Sequence, residues 1–542
     1  MTADALAKTR ITNRVARLKK SAAARYNIDE KEVHIGHIAL ESMLLDPDMI
    51  SQIDFTTGQE ETNRSVAQRS SRLASAMVNA GLKPGDPAIV MGNNHMDLCI
   101  PYFACHFGGY PMCAIDPSIG KNDLVRLFPY IFPKIVFCLK SCEEKVREAF
   151  KVNNLEGFIV VFDDKKTDLE AFVQEHNGTE VDYRPATFDH SKIAAWLMLT
   201  SGTTGLPKVA IIPFDTLLHG IISWWEPFPE KVESILAMAT LQWMSSLLYF
   251  ISGPLKGSTR IQASEPLSPM KLVQIINKYR PVTTAFTPYL LGHFLNVAEK
   301  NCDLSCFKYI VIAGSAIEKP LLDRFKKVCD AFMYLVYGMT ELLVPTFDYN
   351  DDTPFGSTGK PQSQYEFKLV DDNAKTLEGS YKTGELWIKG NAFFKGYLNN
   401  AEETKTMLTD DGWFKTGDMF YKDDQDYYYF VERKRLLIKH YGFLLSPLQM
   451  EEIVKRHPSI VDACAVSLPQ LDCTELPVFA LQRRNGDKVD TQEVAELLRK
   501  NMEGKRLNGG FFFVDSLPVT PSGKIHRAKV KEMAQAAQKI LF

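Results

Sequence analysis

Short apolar runs alternate with helix-like stretches along most of the chain. The runs 87–91, 158–162 and 309–313 are each the length of a strand, and a helix-like stretch over 64–80 precedes the first. Strands that alternate with helices predict parallel or mixed sheets covered by helices. No apolar run reaches the roughly 18 residues that a membrane-spanning helix needs. The pattern therefore predicts a large α/β body.

The pattern changes after about residue 364, where short strands separated by glycine-containing turns replace the strand–helix alternation. The strands of this region are expected at 366–370, 384–389 and 427–431. The last region is expected to contain helices at 447–456 and 491–502 around a strand at 459–467. We therefore expect a small β-barrel-like region followed by a small α/β domain of about 110 residues, a usual size for an independent unit.

Composition removes several classes of function. The 542 residues carry 63 Lys and Arg against 66 Asp and Glu, so the net charge of −3 does not suit a general nucleic-acid binder. The 10 cysteines contain no C-x-x-C pair, and no partner pair follows at zinc spacing, which disfavours a zinc site. A hydrophobic share of 45% is that of an ordinary soluble globular protein. We expect a protein of a reducing, intracellular compartment.

The first 25 residues are strongly basic. They contain seven Lys or Arg residues and one acid, Asp4, and they lack the apolar core of a signal peptide. Such a start is typical of a solvated basic helix, and it is also compatible with a mitochondrial presequence. The chain ends Ile-Leu-Phe542 rather than Ser-Lys-Leu, the peroxisomal address. We expect the cytoplasm, and we leave the mitochondrion and the peroxisome open.

Residues 199–208 contain the chemistry of a phosphate-binding loop, with the string Leu-Thr-Ser-Gly-Thr-Thr-Gly-Leu-Pro-Lys. Glycine N–H groups and hydroxyls can surround an anion while a lysine adds a positive charge, which favours a polyphosphate ligand. The candidate ATP-binding residues are Thr200, Ser201, Gly202, Thr203, Thr204, Gly205 and Lys208. The glycine spacing is too short for a Walker A loop, and apolar runs at 193–199 and 209–212 predict the tip of a β-hairpin.

The loop string resembles the phosphate-binding signature of the adenylate-forming superfamily, which includes acyl-CoA synthetases, 4-coumarate–CoA ligases, peptide-synthetase adenylation domains and beetle luciferases. Further superfamily motifs follow in order: Tyr337-Gly-Met-Thr-Glu341, Gly412-Trp-Phe-Lys-Thr-Gly-Asp418, Glu432-Arg433 with Lys439 and Gly442, and Pro521-Ser-Gly-Lys524. The resemblance begins near residue 33 and is strongest to insect acyl-CoA synthetase-like members. It implies a basic extension over 1–32, a large AMP-binding domain over 33–432 and a small, mobile C-terminal lid over 433–542.

The resemblance implies a two-step ligase reaction that uses ATP, Mg²⁺ and coenzyme A. A carboxylate attacks the α-phosphate of ATP, which gives an acyl-adenylate and pyrophosphate, and a thiol then takes the acyl group. Such chemistry needs positioning and charge neutralisation more than covalent catalysis. By resemblance, Lys524 would bridge the carboxylate and the α-phosphate, Thr340 would donate to that phosphate, and Glu341 would hold Mg²⁺.

Further residues are implied to bind the nucleoside. Asp418 would accept hydrogen bonds from the ribose hydroxyls, with assistance from Arg433. The positions implied against the adenine ring are Gly314, Ser315 and Ala316 on one face and Tyr337, followed by Gly338, on the other.

The second step is implied to use a hinge and a thiol loop. The small domain would rotate at Glu432, withdraw Lys524 and present the loop around Gly442, where glycine permits close approach of the pantetheine arm. Lys434, Arg435 and Lys439 would be available near the coenzyme A phosphates.

Three positions depart from the superfamily pattern. Relatives more often have Asp at the position of Glu432 and Lys at the positions of Arg435 and Tyr441. The glutamate keeps the charge of the aspartate but adds a methylene. These departures leave the rate of thioester formation open.

The acid-binding pocket is the part that the sequence defines least. Trp243 stands where many relatives carry a His, so it is expected either as a packed core residue or as an aromatic gate. Together with Phe286 it would form an apolar wall that suits fatty or aryl acids better than amino acids. We expect a medium- or long-chain fatty acid, with a 4-coumarate-like aryl acid as the alternative.

Two other classes of function are weighed against this ligase. A luciferase-like oxidoreductase is disfavoured because residues 217–227 lack the Arg that beetle luciferases carry in the luciferin pocket. A non-catalytic nucleotide binder would be expected to have lost Lys524, Glu341 or Asp418, and all three are present. The expected partners are a small carboxylic acid, ATP and free coenzyme A, without nucleic acid, and the oligomeric state is left open.

Overall fold

The computed structural model describes residues 3–200, 208–229, 231–390, 393–440, 443–470, 474–484, 489–502, 509–520 and 524–540. Contacts between Cα atoms divide the chain into two compact units: unit 1 is Met1–Ala313, Ile317–Thr346 and Gly390–Thr406, and unit 2 is Gly314–Ala316, Phe347–Lys389 and Met407–Phe542. Among the described residues, no helix is both long and apolar enough to cross a membrane. The domain boundary expected at residues 432–433 stays a prediction.

Unit 1 contains two large sheets and the helices that cover them. Its helices are α1 (Ala3–Tyr26), α2 (Ile35–Leu45), α3 (Asn63–Asn79), α4 (Cys99–Gly108), α5 (Lys121–Ile131), α6 (Lys140–Val152), α7 (Leu169–Glu175), α8 (Phe214–Trp225), α9 (Met244–Lys256), α10 (Pro269–Tyr279), α11 (Pro288–Asn301), α12 (Lys319–Lys326) and α13 (Ala401–Met407), with 3-10 turns at Met96–Leu98 and Thr340–Leu342. Its strands are β1 (Ile50–Asp54), β2 (Glu60–Thr62), β3 (Ala88–Met91), β4 (Met112–Ala114), β5 (Ile135–Cys138), β6 (Phe158–Val161), β7 (Ala194–Leu199), β8 (Val209–Pro213), β9 (Ser234–Leu236), β10 (Thr259–Gln262), β11 (Thr283–Phe286), β12 (Tyr309–Ala313) and β13 (Phe332–Val336).

Both sheets of unit 1 are mostly parallel, as the alternation of strands and helices predicts. The seven-stranded sheet has the order β13-β12-β11-β9-β10-β1-β2, and the six-stranded sheet has the order β6-β5-β3-β4-β7-β8. The pairs β1–β2 and β7–β8 are antiparallel, and the other neighbours are parallel. The predicted mixed α/β body is therefore confirmed.

Helices α10 and α11 cover the seven-stranded sheet because each has one apolar face. Leu272 and Ile276 of α10 and Leu291 of α11 are buried in one cluster with Ile310 and Ile312 of β12. Full burial of one such side chain contributes about 1.5–3 kcal/mol. This packing fixes the strand whose end leads into residues 314–316.

Helix α1 packs on unit 1 through one apolar face. Ile11, Val15 and Leu18 are buried, at the spacing of one side of a helix. Arg25 Nε donates to Glu41 Oε2 over 2.5 Å, and the Glu41 side chain is fully buried. The expectation of a solvated basic helix is therefore wrong for this face, since its apolar spacing outweighs the high density of charge around it.

The described residues of unit 2 form three smaller sheets. Its strands are β14 (Phe347–Asp348), β15 (Lys360–Pro361), β16 (Glu366–Val370), β17 (Gly384–Lys389), β18 (Phe414–Lys422), β19 (Tyr428–Arg433), β20 (Ile438–His440), β21 (Phe443–Leu445), β22 (Ile460–Gln470), β23 (Thr474–Arg483) and β24 (Phe511–Val514). Its helices are α14 (Pro447–Val454), α15 (Thr491–Asn501) and α16 (Arg527–Ala536), with a 3-10 turn at Lys434–Leu436.

The sheets of unit 2 are mainly antiparallel. A four-stranded sheet has the order β16-β17-β18-β19, and β14 pairs with β15. A five-stranded sheet has the order β21-β20-β23-β22, with β24 parallel to β23. The strands predicted at 366–370 and 384–389 are confirmed, and the aromatic run predicted at 427–431 forms β19.

Candidate active site

The loop expected to bind phosphate connects two strands of a β-hairpin, as predicted. Strands β7 and β8 pair with Leu199 opposite Val209, and the Thr200 N–H donates to the Lys208 carbonyl over 2.8 Å. The other predicted loop residues lie outside the described residues: Ser201, Gly202, Thr203, Thr204 and Gly205. The described ends fix where the loop leaves and re-enters the six-stranded sheet.

Lys208 lies close to Glu403 and Tyr397 within unit 1. Its Nζ pairs with the carboxylate of Glu403 on α13, and the two side chains are 35% and 30% exposed. The same Nζ lies 5.2 Å from the centre of the Tyr397 ring. A pair this exposed contributes about 0–1 kcal/mol. A phosphate group can therefore displace Glu403 at a small energetic cost.

Tyr397 connects Lys208 to Glu341. Its hydroxyl donates to Glu341 Oε1 over 2.7 Å, and Glu341 is buried. The segment that carries Tyr397 lies along β8, where the Ile211 N–H donates to the Gly396 carbonyl over 3.0 Å. Unit 1 thus brings the loop lysine together with the carboxylate expected to bind Mg²⁺.

The 3-10 turn Thr340–Leu342 presents Glu341, and the residue after the turn is conformationally unusual. Leu343 has a φ of 62°, which bulky side chains rarely adopt. Leu343 is fully buried, and a Cβ placed at Gly220 on α8 would collide with its Cδ2. The absence of a side chain at Gly220 therefore makes room for Leu343 in this conformation.

The carboxylate of Glu341 fits the requirements of Mg²⁺. Within the described part of the chain, no group of three or more His, Cys, Asp or Glu residues could hold a metal ion. Mg²⁺ often takes only one or two protein carboxylates, because substrate phosphates and waters complete its coordination. An ionised carboxylate has about four acceptor positions, so the hydrogen bond from Tyr397 orients Glu341 without filling it.

Asp418 lies on a bulge of β18 in unit 2. The register between β17 and β18 shifts next to Glu385, and Gly417 has a φ of 70°, a conformation that favours glycine. The Asp418 N–H donates to the Thr416 hydroxyl over 3.1 Å. The bulge places Asp418 opposite Arg433 of β19.

Arg433 and Lys524 join Asp418 within unit 2. Arg433 Nε lies 3.5 Å from Asp418 Oδ1, and the Asp418 side chain is 5% exposed. Solvent reaches Lys524, yet desolvation lowers the pKa of Lys524 from its usual value, the charge of Arg433 lowers it further, and Asp418 raises it. Unit 2 thus brings the two expected ribose-binding residues within electrostatic range of the expected catalytic lysine.

The expected hinge residue, Glu432, is buried and hydrogen-bonded. Its carboxylate accepts from the Arg433 N–H over 2.9 Å and from the Leu448 N–H over 3.0 Å. Leu448 is in the first turn of α14. The side chain of Glu432 therefore ties β19 to α14.

The residues expected near coenzyme A are described only in part. Lys439 is exposed on β20, and its N–H donates to Glu475 Oε2 over 2.6 Å. Arg435 is also exposed. Tyr441 and Gly442 lie outside the described residues.

The residues expected against adenine follow two strand ends. Gly314, Ser315 and Ala316 are exposed directly after β12, and Gly314 has a φ of 99°. Tyr337 is half-buried directly after β13, and Gly338 beside it is exposed.

Trp243 and Phe286, expected in the acid pocket, have different surroundings. Trp243 is 39% exposed at the N-terminus of α9. Phe286 is buried at the end of β11, where its ring stacks on Phe294 with 5.3 Å between ring centres. Phe286 thus belongs to the hydrophobic core of unit 1. An acid-binding role stays a prediction for both residues.

Sequence reasoning missed three residues of these networks: Tyr397, Glu403 and Glu385. Tyr397 and Glu403 lie in a polar turn and a short helix after Gly396, far along the chain from the loop at 200–208. The local sequence offers only the pair Gly396-Tyr397 and the acids Glu402 and Glu403 as signals of a functional role. Contacts at this sequence distance cannot be inferred from periodicity.

Comparisons with known proteins agree with the motif order. A family model described as AMP-binding enzyme matches residues 42–398, and a second model, the AMP-binding enzyme C-terminal domain, matches residues 449–524. The luciferin 4-monooxygenase of Photuris pensylvanica is 28% identical over 490 residues, which cover 86% of this chain and 88% of that protein. The 4-coumarate-CoA ligase 1 of Narcissus pseudonarcissus is 27% identical over 498 residues, which cover 88% of this chain and 90% of that protein.

A solved structure shows the same fold. The o-succinylbenzoate CoA synthetase of Bacillus subtilis, in complex with its acyl-adenylate intermediate, has a TM-score of 0.79 and is 22% identical. The match covers 92% of this chain and 98% of that chain. The large N-terminal and small C-terminal regions expected from the sequence are therefore those of a known architecture.

Proposed function

Because the chain belongs to the AMP-binding enzyme family, whose members here are adenylate-forming acid–CoA ligases and their relatives, we propose that it is an AMP-forming acyl-CoA synthetase. The observation that carries this proposal is the network of Lys208, Tyr397 and Glu341 in unit 1. It supports the proposal because Tyr397 links a cation that suits phosphate oxygens to a carboxylate that suits Mg²⁺. A polyphosphate and its metal need this combination of groups.

The first step is the adenylation of a carboxylic acid. A carboxylate oxygen attacks the α-phosphorus of ATP, the bond to the bridging oxygen of the β-phosphate breaks, and pyrophosphate leaves. Lys208 moves from Glu403 to phosphate oxygens, and Thr340 donates to the α-phosphate. Glu341 would hold Mg²⁺, which when bound neutralises phosphate charge.

Lys524 stabilises the charge that develops in this step. It binds both the attacking carboxylate and the α-phosphate, so it acts on the transition state more than on either reactant. Asp418 and Arg433 hold the ribose. The charges of these two residues act on the pKa of Lys524, which Arg433 lowers and Asp418 raises, and this supports the action of Lys524 at a nucleotide.

The second step forms the thioester. The sulfur of coenzyme A attacks the acyl carbonyl, the bond from that carbon to the phosphate oxygen breaks, AMP leaves, and the thiol proton passes to solvent. We assign the hinge to Glu432, with residues 433–542 as the moving lid, and the thiol approach to the loop of Gly442. Lys439 binds coenzyme A phosphates, which its exposed position supports.

A medium- or long-chain fatty acid is the proposed substrate. The partly exposed indole of Trp243 supports an apolar wall at the start of α9. An aryl acid is the second candidate, because a relative of this chain is a 4-coumarate-CoA ligase. The luciferase-like reaction is the third, favoured by the similarity to a luciferin 4-monooxygenase and opposed by the lack of an Arg within residues 217–227.

A screen of acids tests the proposal. The full chain is incubated with ATP, Mg²⁺, coenzyme A and either fatty acids of increasing length or cinnamic-type aryl acids, and AMP release is measured. The proposal expects release that depends on both the acid and coenzyme A, with fatty acids preferred. Release with aryl acids alone would select the second candidate, and light emission with luciferin would select the third. The absence of acid-dependent pyrophosphate exchange would refute ligase activity.

A further inference from the structure

The carboxylate of Glu385, on β17, reaches both sides of the Asp418–Arg433 pair. Its Oε1 accepts from the N–H of Gly417, the residue before Asp418, over 3.3 Å. Its Oε2 accepts from Nζ of Lys434, the residue after Arg433, over 3.1 Å. Each carboxylate oxygen thus holds the chain neighbour of one member of the pair.

Glu385 is a buried charge that has its partners within unit 2. The residue is 8% exposed, so its carboxylate is largely withdrawn from water. Burial of a carboxylate is costly unless hydrogen bonds and a counter-charge compensate it. The backbone N–H of Gly417 and the ammonium of Lys434 supply both. Hydrogen bonds to an ionised acceptor are about twice as strong as neutral ones.

The bulge that presents Asp418 depends on such hydrogen bonds. A Cβ placed at Gly417 would meet nothing within 4 Å among the described residues, so the space beside this residue is open. The Thr416 hydroxyl donates to the Leu386 carbonyl over 2.7 Å and accepts from the Asp418 N–H over 3.1 Å. Glu385 holds the N–H between these two residues. Bulges commonly re-aim a side chain next to a functional site.

We propose that Glu385 is a positioning residue that orients the Asp418–Arg433 pair toward the 2′,3′-diol of a bound ribose. The inference rests on the proposed function, which assigns the ribose to Asp418. In this account Glu385 does not touch the nucleotide. Its bond to Gly417 sets the direction of Asp418, and its bond to Lys434 holds the carboxylate in place.

The test measures by calorimetry how tightly the full chain binds ATP and 2′,3′-dideoxy-ATP. The second nucleotide lacks both ribose hydroxyls. The wild type should bind ATP at least about tenfold more tightly, as expected for hydrogen bonds to a charged group. Glu385→Met keeps the length of the side chain but accepts no hydrogen bond. It should weaken ATP binding about tenfold and leave the binding of dideoxy-ATP within about threefold of wild type.

Two matched variants separate the bonds of Glu385. Glu385→Gln keeps an acceptor for the Gly417 N–H and should preserve the preference for ATP within about threefold. Lys434→Met removes the ion pairs of Lys434 with Glu385 and Asp372, leaves the Gly417 N–H bond in place and should also preserve the preference within about threefold. If Glu385→Met does not fold, Thr416→Val removes the other anchor of the bulge and should abolish the preference in its place.

The outcomes distinguish this inference from the proposed function. The positioning role would be overturned if the wild type prefers ATP to dideoxy-ATP and Glu385→Met either weakens the binding of both nucleotides equally or leaves that preference unchanged. If the wild type binds no ATP, or if it prefers ATP no more than Asp418→Asn does, the ribose assignment itself is wrong. The role of Glu385 then falls with it.

Discussion

Lys208 and Asp418 are both charged residues assigned to ATP, yet the chain holds them by different means. The ammonium of Lys208 is held by side chains, through an ion pair with Glu403 and the nearby ring of Tyr397. Asp418 is held through its backbone, in a bulge anchored by Thr416. The first arrangement can exchange partners, and the second is set before any ligand arrives.

This difference separates two contributions to nucleotide binding. On the phosphate side, part of the interaction energy is offset by the loss of existing side-chain contacts. On the ribose side, little ordering remains to be done, and preorganised groups bind with less loss of entropy. We therefore expect phosphate binding to be adjustable by single substitutions of either sign, and ribose binding to be mainly weakened by them.

The substitution Lys524→Ala, in the unit that also contains Asp418, should have the largest effect. It should slow adenylate formation about a thousandfold, because removal of one donor to a developing charge has effects of this order. Thioester formation from a supplied acyl-adenylate should remain within about threefold of wild type. Single-turnover assays of the two half-reactions measure this. Lys529→Ala, at an exposed lysine of α16, is the control. Equal loss of both half-reactions would contradict the separate use of Lys524.

Acid should destabilise unit 1 more than unit 2. In unit 1, burial lowers the pKa of His37 to about 4 and that of His106 to about 4. A histidine with a folded-state pKa below its unfolded value contributes full stability above about pH 6.5 and loses it as the pH falls below that value. At pH 5 each should favour opening by about thirtyfold.

Hydrogen exchange measures this acid effect region by region. Protection factors of peptides from α2 and α4 should fall between pH 7 and pH 5, whereas those from β17 and β18 should change much less. His37→Phe removes one titrating group and should recover about thirtyfold of the loss. A uniform loss of protection across both units would contradict the assignment to the buried histidines.

The substitution Tyr397→Phe sharpens the phosphate side of the comparison. It removes the hydroxyl that orients Glu341 but keeps the ring beside Lys208. The KM for Mg-ATP should rise about tenfold, as expected for a lost hydrogen bond to a charged group. Pyrophosphate exchange at varied Mg²⁺ measures this, with Tyr381→Phe, at an exposed tyrosine, as the control. A change in kcat alone would not fit an orienting role.

The substitution Glu403→Gln should have the smallest effect and the opposite sign. It releases Lys208 from its ion pair, so phosphate no longer has to displace a carboxylate. The KM for ATP should fall about threefold, in line with the modest energy of a half-exposed pair. Glu402→Gln, at the neighbouring exposed acid, is the control. A rise in KM would show that Glu403 holds Lys208 in a binding-competent position.

Much of the fold follows from local patterns in the sequence. The strands at 309–313 and 384–389 and the hairpin around residues 200–208 have the predicted positions, because apolar periodicity and glycine spacing are local. The contacts of Tyr397 and Glu385 could not be predicted, since their partners are distant in sequence and the residues around them show no characteristic charge pattern. The roles inferred by resemblance for Lys524 and Asp418 remain predictions that the half-reaction and ribose-analogue assays test.

The docking of α1 has a consequence for where this protein begins as a folding unit. The family model starts at residue 42, directly after Glu41, whose buried carboxylate accepts hydrogen bonds from Ser21 and Arg25 of the helix. A chain trimmed to the shared family boundary would leave the surface beneath Ile11 and Leu18 exposed to water. The packed part of unit 1 therefore includes α1, which lies before the range that the family model matches.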